Sequence, residues 1–384
     1  MHDVPPDGNQ HAPAHAELTA FVHLHLATLY DAGVGIALLE AFGAPEAALA
    51  RAPSAMGRMP GLTHGVLARL RDGAMRSRAE KEIAEARRHE VEIVAWGRSG
   101  YPAPLGILPG MPVVLYRTPP AGPSDPDGIG VGVIGSRKPS PYGIRQARRF
   151  AGALARRGLV VVSGLALGID GEAHRAALEI GGKTIAVLGS GLGRLYPPEN
   201  RELARRIASS GRGALWTEFP FDAAPKSFHF PMRNRVLSGL SAALLVVEAG
   251  EKSGSLITVR HALEQGRTVY VVPGRVDRPE AIGCLRLLQD GATPAIEPDD
   301  VLPAAGSRAE MPEPASKRGR RLDGPLGERL EALFGEEDSW HPDAIAERLD
   351  APAALIVAEL TRLEMEGCLE RLPGGSYALD RRHV

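Results

Sequence analysis

The sequence predicts an α/β protein whose core is a doubly wound, Rossmann-like parallel sheet. Eight apolar, β-branched segments each end near Gly, Pro or a charged residue, and helical patterns separate most of them. Near-continuous apolar strands that alternate with helices are typical of a parallel sheet covered on both faces. The segments are VEIVAWG, VVLYRT, GVGVIGS, LVVVSG, KTIAVLGSG, GALWTEF, SAALLVVEA and RTVYVVPG.

The helices of this core are predicted from apolar periodicity closed by glycine near the C-terminus. They are YGIRQARRFAGALARRG, DGEAHRAALEIGG, PENRELARRIASSG and SLITVRHALEQG. Parallel strands joined in this way bind ligands in the crevice outside their carboxyl ends. The loops that follow the strands are therefore where a functional site is expected.

The flanking segments predict two smaller domains. Short helical patterns with GVG and GAP breaks indicate a helical module of helix-hairpin-helix or SAM-like type, although a purely structural role is the simpler interpretation. A segment rich in Pro, Ala and Gly indicates a linker, and three helices with a hairpin around PGG then indicate a winged-helix-like domain that binds either DNA or protein. The predicted regions are a disordered tail 1–18, the helical domain 19–78, the extended Rossmann-like domain 79–302, the linker 303–324 and the winged-helix-like domain 325–384.

Composition limits the possible functions. The formal net charge is −1, and the two cysteines, Cys284 and Cys368, stand far apart in no metal-binding pattern. We expect a cytoplasmic protein with no membrane-spanning segment. Between Gly135 and Arg275, 21 Lys and Arg stand against 10 Asp and Glu. This excess indicates either a surface for a polyanion or a set of solvated helix faces.

Glycine and serine recur in the loops after the strands. Glycine lets backbone N–H groups approach an anion, and serine adds a small donor, so these loops together predict an anion-lined crevice. Any single glycine could simply make a turn. The predicted crevice residues are Gly135, Ser136, Ser163, Gly164, Gly168, Asp170, Gly189, Gly191, Asn200, Ser253, Gly254 and Ser255.

The segment FPMRNRVLSGLS raises a question of charge at a helix start. Pro231 suits a first helical residue, which would put Arg233 and Arg235 in the first turn. The positive end of the helix dipole repels cations there, so either the side chains reach solvent or a phosphate offsets the repulsion. Arg137 directly follows the predicted strand GVGVIGS, and Lys226, Phe228 and Phe230 precede the arginines. Cations interleaved with aromatic rings suit single-stranded nucleic acid.

Signals for catalysis are weak. GIGVGVIG contains the dinucleotide-binding spacing, but two of its glycines lie in or before a strand, and no P-loop is present. Asp170 and His174 lie one helical turn apart, although an Asp near a helix start is more often a cap. We therefore expect no enzyme activity, no cofactor and no metal.

Several long motifs resemble the DNA processing protein A family, the DprA/Smf proteins of bacterial natural transformation. They are YPAPLGILPGMPVVLYR, GSR, SGLALGID, GSGLGRLYPPEN, FPMRNRVLSGLS, VVEA, SGSLIT and GRTVYVVPG. The resemblance implies a Rossmann-like core that binds and protects incoming single-stranded DNA, helps to load the RecA recombinase and forms a homodimer through that core. It implies DNA contacts by Arg137, Lys226, Phe230, Arg233, Asn234 and Arg235, with Asn234 fixing the loop rather than contacting a base.

The sequence departs from the family motif at one position, and two alternative functions remain open. Leu285 occupies the position where the family commonly has asparagine, in GCLRLLQDGA. The same superfamily contains phosphoribohydrolases with a catalytic glutamate, whereas SGSLITVRH offers Val259, Arg260 and His261 there. A nucleotide-sensing regulatory module is the other alternative.

Overall fold

The computed structural model describes residues 14–31, 33–55, 57–119, 130–301, 326–336, 339–366, 368–372 and 375–379. The chain divides into two compact units, Met1–Met311 and Pro312–Val384. The predicted linker and residues 1–13 of the predicted tail lie outside the described residues.

The first unit begins with a group of helices. Side-chain caps define two of their starts: Thr63 Oγ1 accepts a hydrogen bond from Val66 N at 3.3 Å, and Asp72 Oδ1 accepts one from Ala74 N at 2.9 Å. These caps satisfy backbone donors that would otherwise be unpaired. The helices are α1 (His15–Thr28), α2 (Val34–Phe42), α3 (Pro45–Arg51), α4 (His64–Arg71) and α5 (Gly73–Arg88).

Two predicted boundaries differ from the structure. Helix α1 already begins at His15, so 15–18 do not belong to a disordered tail, and α5 runs through the predicted boundary between 78 and 79. The helical residues and the sheet also belong to one compact unit rather than to two domains. Ala79, Ile83 and Ala86 are buried along one side of α5. The helix therefore runs without a break from Gly73 to Arg88 across the predicted boundary.

One sheet organises the first unit. Among the described residues it has nine strands in the order β1-β2-β6-β5-β4-β3-β7-β8-β9, parallel from β6 to β9, while β2 pairs antiparallel with both β1 and β6. The strands are β1 (Glu92–Ala95), β2 (Val114–Arg117), β3 (Gly130–Ile134), β4 (Val160–Ser163), β5 (Lys183–Val187), β6 (Gly213–Thr217), β7 (Ser241–Val246), β8 (Thr268–Val271) and β9 (Thr293–Pro294). All eight predicted strands are confirmed.

Helices cover both faces of the sheet, as predicted. They are α6 (Ala103–Gly106), α7 (Pro141–Arg156), α8 (Ile169–Glu179), α9 (Arg201–Ser209), α10 (His229–Gly239), α11 (Ser255–Glu264) and α12 (Ile282–Gln289), with 3₁₀ turns at Ala52–Ala55, Leu192–Arg194, Pro198–Asn200, Pro279–Ala281 and Pro298–Val301. Alternate residues of a strand face opposite sides. Val131 and Val133 therefore pack with Phe150 of α7, whereas Val160 and Val162 belong to the core on the other face.

The chain reverses its direction of travel across the sheet at β3. This strand pairs with β4 on one side and with β7 on the other. In doubly wound sheets, such a switch point opens a crevice at the carboxyl ends of the strands. The loops after β3, β4, β5, β6 and β7 therefore meet at one end of the sheet, where the sequence predicts the functional site.

The second unit has the predicted winged-helix elements. Helices α13 (Gly327–Glu336), α14 (Pro342–Leu349) and α15 (Ala353–Met365) precede an antiparallel pair, β10 (Leu369–Arg371) and β11 (Tyr377–Leu379). Leu330, Ile345, Ile356 and Leu360 are fully buried in its core. Trp340 forms a further antiparallel bridge with Tyr377.

Candidate nucleic-acid interface

Helix α10 begins two residues earlier than the sequence predicts. Its first residue is His229, so Pro231 is the third helical residue and its missing N–H still falls among the unpaired donors of the first turn. Arg233 and Arg235 consequently lie in the second turn. The predicted repulsion between these arginines and the start of the helix is therefore weaker, because the dipole effect fades beyond the first turn.

Arg233 points into the protein, which corrects its prediction as a DNA contact. The residue is only 5% exposed. Nη1 donates hydrogen bonds to Gly164 O at 2.7 Å and to Val187 O, so the guanidinium ties together the ends of β4 and β5. Burial lowers the pKa of Arg233 to about 10, against the raising effect of Asp170. Arg233 is a structural cation at the base of the crevice.

Arg235 also has a partner within the protein. Its guanidinium pairs with the carboxylate of Glu218, and the side chains are 13% and 1% exposed respectively. Burial raises the pKa of Glu218, while Arg235 lowers it. The prediction that one phosphate occupies a helix end shared by Arg233 and Arg235 is wrong, because the two guanidinium groups have different partners inside the protein.

Three of the predicted contacts remain at the surface. Arg137 and Lys226 are exposed, and Phe230 is half-buried. The guanidinium of Arg137 lies 5.6 Å from the centre of the Phe230 ring, and Lys226 Nζ lies 5.7 Å from the centre of the Phe228 ring. Neither cation has a carboxylate partner within the described part of the chain. Each therefore stands beside an aromatic ring with its charge available to a ligand.

The ring of Phe230 is positioned by a glycine. A Cβ atom at Gly189 would come within 2.7 Å of Phe230 Cδ1, so only glycine leaves room for the ring there. The ring of Phe230 also contacts that of Tyr196, with ring centres 5.8 Å apart. Asn234 is partly exposed, and its Oδ1 accepts a hydrogen bond from Arg233 Nε at 3.2 Å. This bond joins Asn234 to the neighbouring residue of α10, and the role of Asn234 in fixing the loop stays a prediction.

The predicted crevice is largely filled by its own polar side chains. Asp170 Oδ2 accepts hydrogen bonds from Gly164 N at 3.1 Å and from Ala166 N at 3.3 Å, which makes Asp170 a cap for this loop. Asn200 Nδ2 donates to the carbonyl oxygens of Leu165 and Ala166, both at 3.0 Å. Leu165 has a left-handed φ of 58°, and Asn200 helps to hold this strained turn.

Other predicted crevice residues bring loops together. Ser163 is fully buried and donates to Val133 O at 2.6 Å. A Cβ at Gly191 would lie 2.0 Å from Pro220 O, and one at Gly168 would lie 2.4 Å from Ser136 O. Ser163, Gly164, Asp170, Gly189, Gly191 and Asn200 are buried, so the prediction that they line an open crevice is wrong for these six. Gly135, Ser136, Gly168, Ser253, Gly254 and Ser255 retain some exposure.

His174 does not form the acid/base pair with Asp170 that their spacing permits. The imidazole is fully buried, and its Nδ1 lies 2.7 Å from Thr184 Oγ1. Burial lowers the pKa of His174 to about 3. The neutral ring is part of the core between α8 and β5.

A separate cavity of about 640 Å³ opens near the start of α7 and the ends of β7 and β8. Tyr142, Glu248, Pro273 and Cys284 are among its lining residues, and none of the predicted DNA contacts lines it. Within the described ranges, no group of three or more His, Cys, Asp or Glu is placed to hold a metal ion. No helix among those residues has the length and apolar character needed to cross a membrane.

Sequence reasoning did not select two exposed aromatic residues near this surface. Tyr196 is 43% exposed and Tyr30 is 55% exposed. Phe228, which the sequence analysis noted, is 49% exposed. Tyr196 lies within the motif GSGLGRLYPPEN, so its position after β5 was a usable signal. Tyr30 lies in the helical region, far from the loops in sequence, and no pattern indicated its place here.

The fold and the site define a Rossmann-like protein with an exposed surface of cations and aromatic rings at the carboxyl end of its sheet. The family model described as DNA recombination-mediator protein A matches residues 92–306, and the DprA winged helix domain matches residues 313–375. The chain belongs to the DNA recombination-mediator protein A family, also known as DprA/Smf.

Relatives of known name agree with this assignment. Protein Smf of Escherichia coli is 42% identical over 254 residues, which cover 65% of this chain and 67% of that protein. DNA processing protein DprA of Bacillus subtilis is 43% identical over 183 residues, or 48% of this chain and 59% of that protein. The X-ray structure of DNA processing protein A from Streptococcus pneumoniae aligns with a TM-score of 0.63 and 32% identity, covering 76% of this chain and 99% of that one.

Proposed function

We propose that this protein binds single-stranded DNA, without strong preference for base sequence, at the surface formed by Arg137, Lys226 and Phe230. The observation that carries the proposal is the pairing of two exposed cations with aromatic rings, at 5.6 and 5.7 Å. Cations follow the phosphates of a strand, and aromatic rings stack on its bases. Both parts of this chemistry occur in loops at the carboxyl end of the parallel strands, where the sequence predicts a functional site.

Single-stranded DNA fits this surface better than duplex DNA. Stacking on a side-chain ring requires an unpaired base, because the faces of paired bases are covered by their neighbours in the duplex. Phe228 and Tyr196 expose their rings beside Lys226 and Phe230. Every base has a face that can stack on such a ring, so little sequence preference is expected.

The wider role follows from family membership and from the names of the relatives. We propose that the chain acts in DNA processing during natural transformation, where it protects incoming single strands and assists loading of the RecA recombinase. We further propose that it works in the cytoplasm as a homodimer formed through the Rossmann-like unit, and that it binds DNA without catalysing a reaction. RecA filament assembly on single-stranded DNA, measured with and without the protein, tests the loading role.

Fluorescence anisotropy across a salt series tests the DNA-binding proposal. A labelled oligo-dT and a matching duplex are titrated with the parent protein, Arg137→Ala and Lys226→Ala. Each variant should bind oligo-dT more weakly, and its salt slope should be shallower by about 0.7 for each phosphate contact removed. The parent should prefer oligo-dT to the duplex.

Arg212→Ala is the matched control. Arg212 is an exposed arginine directly before β6, at the amino end of the sheet and away from the proposed surface. Its removal should leave the salt slope unchanged. Equal slopes for Arg137→Ala, Lys226→Ala and the parent would contradict the proposed surface, and absence of oligo-dT binding at low salt would contradict the proposed function.

A further inference from the structure

Exposed aromatic rings are concentrated beside the proposed DNA surface. Among the described Phe, Trp and Tyr residues, the four most exposed are Tyr30 at 55%, Phe228 at 49%, Tyr196 at 43% and Tyr142 at 38%. Phe228 belongs to the segment from Phe228 to Phe230, and the rings of Tyr30 and Tyr196 contact that segment. Large exposed rings grouped in one place indicate a binding surface more strongly than single ones do.

Tyr30 reaches this group from the N-terminal helical region. It follows α1, and its ring centre lies 5.7 Å from that of Phe228 in an edge-on arrangement. The same ring is stacked on His229, with centres 6.0 Å apart and planes 12° from parallel. His229 in turn stacks on the buried ring of Phe219, with centres 4.0 Å apart. A continuous column of rings therefore joins the core to an exposed tyrosine.

Hydrogen bonds fix Tyr30 in this column. His229 Nδ1 lies 3.2 Å from Gly189 O, which can only accept, so Nδ1 carries the proton and donates it. His229 Nε2 is then an acceptor for the Tyr30 hydroxyl at 3.4 Å. Burial lowers the pKa of His229, which favours this neutral form. The outer face of Tyr30 is thereby held in position before any ligand arrives.

We propose that Tyr30 is a base-stacking residue, and that the N-terminal helical region extends the single-stranded DNA path beyond the loops of the sheet. This inference rests on the proposed function. Lys226 lies over Phe228, and Phe228 contacts Tyr30, so a strand that reaches Lys226 is adjacent to the Tyr30 ring. A ring held by prior contacts loses little conformational freedom when a base stacks on it.

Substitution of the ring tests this role. Tyr30→Leu keeps an apolar side chain but has no aromatic face, and it should weaken binding of a long oligo-dT about tenfold, or about 1.4 kcal/mol. Its salt slope should match that of the parent, because no phosphate contact is removed. Tyr30→Phe should bind close to parent affinity. Thermal unfolding of each variant shows whether the fold is retained.

Two further measurements make the test specific. Oligo-dT carrying 5-iododeoxyuridine should photocrosslink to the peptide that contains Tyr30 in the parent protein. Tyr142→Leu removes a ring of comparable exposure whose hydroxyl donates to Pro273 O, away from Tyr30, and it should leave affinity unchanged.

The outcomes separate the two proposals. If the parent binds oligo-dT and Arg137→Ala weakens that binding, but a folded Tyr30→Leu binds as the parent does and no crosslink forms at Tyr30, the stacking role is refuted while the proposed function stands. If the parent fails to bind oligo-dT at low salt, both proposals are refuted.

Discussion

Buried charge explains why the two arginines of α10 differ from Arg137 and Lys226. Arg233 and Arg235 lie in the same motif as Phe230, yet their side chains bond to carbonyl groups and to Glu218 inside the protein. Removal of one partner from a buried ion pair leaves the other charge without compensation. These arginines support the DNA surface by holding its loops, whereas Arg137 and Lys226 present charge to solvent.

A first prediction concerns Arg235→Ala. The variant leaves the Glu218 carboxylate buried without a partner and should lower the free energy of unfolding by about 3–5 kcal/mol, measured by urea denaturation. Arg137→Ala, which removes an exposed side chain, should unfold like the parent. The double variant Arg235→Met with Glu218→Gln should recover much of the loss. Loss of DNA binding by Arg235→Ala at parental stability would instead show a direct contact.

The environment of Arg233 could not be predicted from sequence. A sequence shows that a guanidinium is present, but its burial depends on where the ends of β4 and β5 meet. These two strand ends are separated in the chain. The crevice serines and glycines were misjudged for the same reason, since Gly191 and Gly168 allow backbone segments to approach rather than leaving space for an anion. Arg137 and Lys226 are exposed, as a DNA contact requires, because loops at the surface leave long cations in water.

Strands and helices were more predictable than side-chain environments. Eight strands were predicted from apolar runs, because strands buried on both faces have nearly continuous apolar sequences. Strand β9 was missed because it contains only two residues, Thr293 and Pro294. The start of α10 was misplaced because Pro231 fits the first helical position as well as the third. The packing of Phe228 and His229 determines that Pro231 takes the third helical position.

Glycines in α7 and in the loop after β5 should respond oppositely to alanine. Gly152 lies within α7, and a Cβ there would meet nothing within 4 Å. Gly152→Ala should therefore raise the free energy of unfolding by about 0.5–1 kcal/mol, since alanine loses less backbone entropy in a helix. Gly191→Ala would place Cβ 2.0 Å from Pro220 O and should destabilise strongly. Urea denaturation of both variants checks this, and equal stability of the two would contradict the packing described.

The helical region and the sheet belong to one compact unit and share hydrogen bonds. His25 of α1 is fully buried, and its Nε2 lies 2.7 Å from Glu218 O at the end of β6. This hydrogen bond joins α1 to the loop after β6 and so couples segments that are far apart in sequence. The unit should therefore unfold as a whole rather than as a separate helical domain and sheet.

The buried histidines of this unit should lower its stability in mild acid, whereas the buried carboxyl groups of Asp170 and Glu218, whose pKa burial raises, act in the opposite direction. Burial lowers the pKa of His25 to about 4 and that of His174 to about 3, from an ordinary value of 6.5. Below pH 6.5 these two histidines bind protons in the unfolded chain but not in the folded protein. Their contribution to stability is therefore present above pH 6.5 and is lost as pH falls towards 4. Each histidine contributes a slope of up to about 1.4 kcal/mol per pH unit.

Unfolding curves recorded between pH 7 and pH 4 measure this dependence. Relative to the parent, His25→Gln should keep more of its stability between pH 7 and pH 4, because the proton that burial keeps off His25 in the folded state no longer enters the balance. His64→Gln, at an exposed position at the start of α4, is the control and should follow the parent. A parental profile for His25→Gln would contradict the assigned burial of His25.

The two edges of the sheet have a consequence for aggregation. Edge strand β9 has two residues, and Pro294 has no N–H to offer; at the other edge, the four-residue β1 carries the exposed Glu92. Short strands, proline and outward charge all prevent an additional strand from pairing. The first unit should therefore stay dispersed at high concentration and should not seed β-sheet fibrils through either edge.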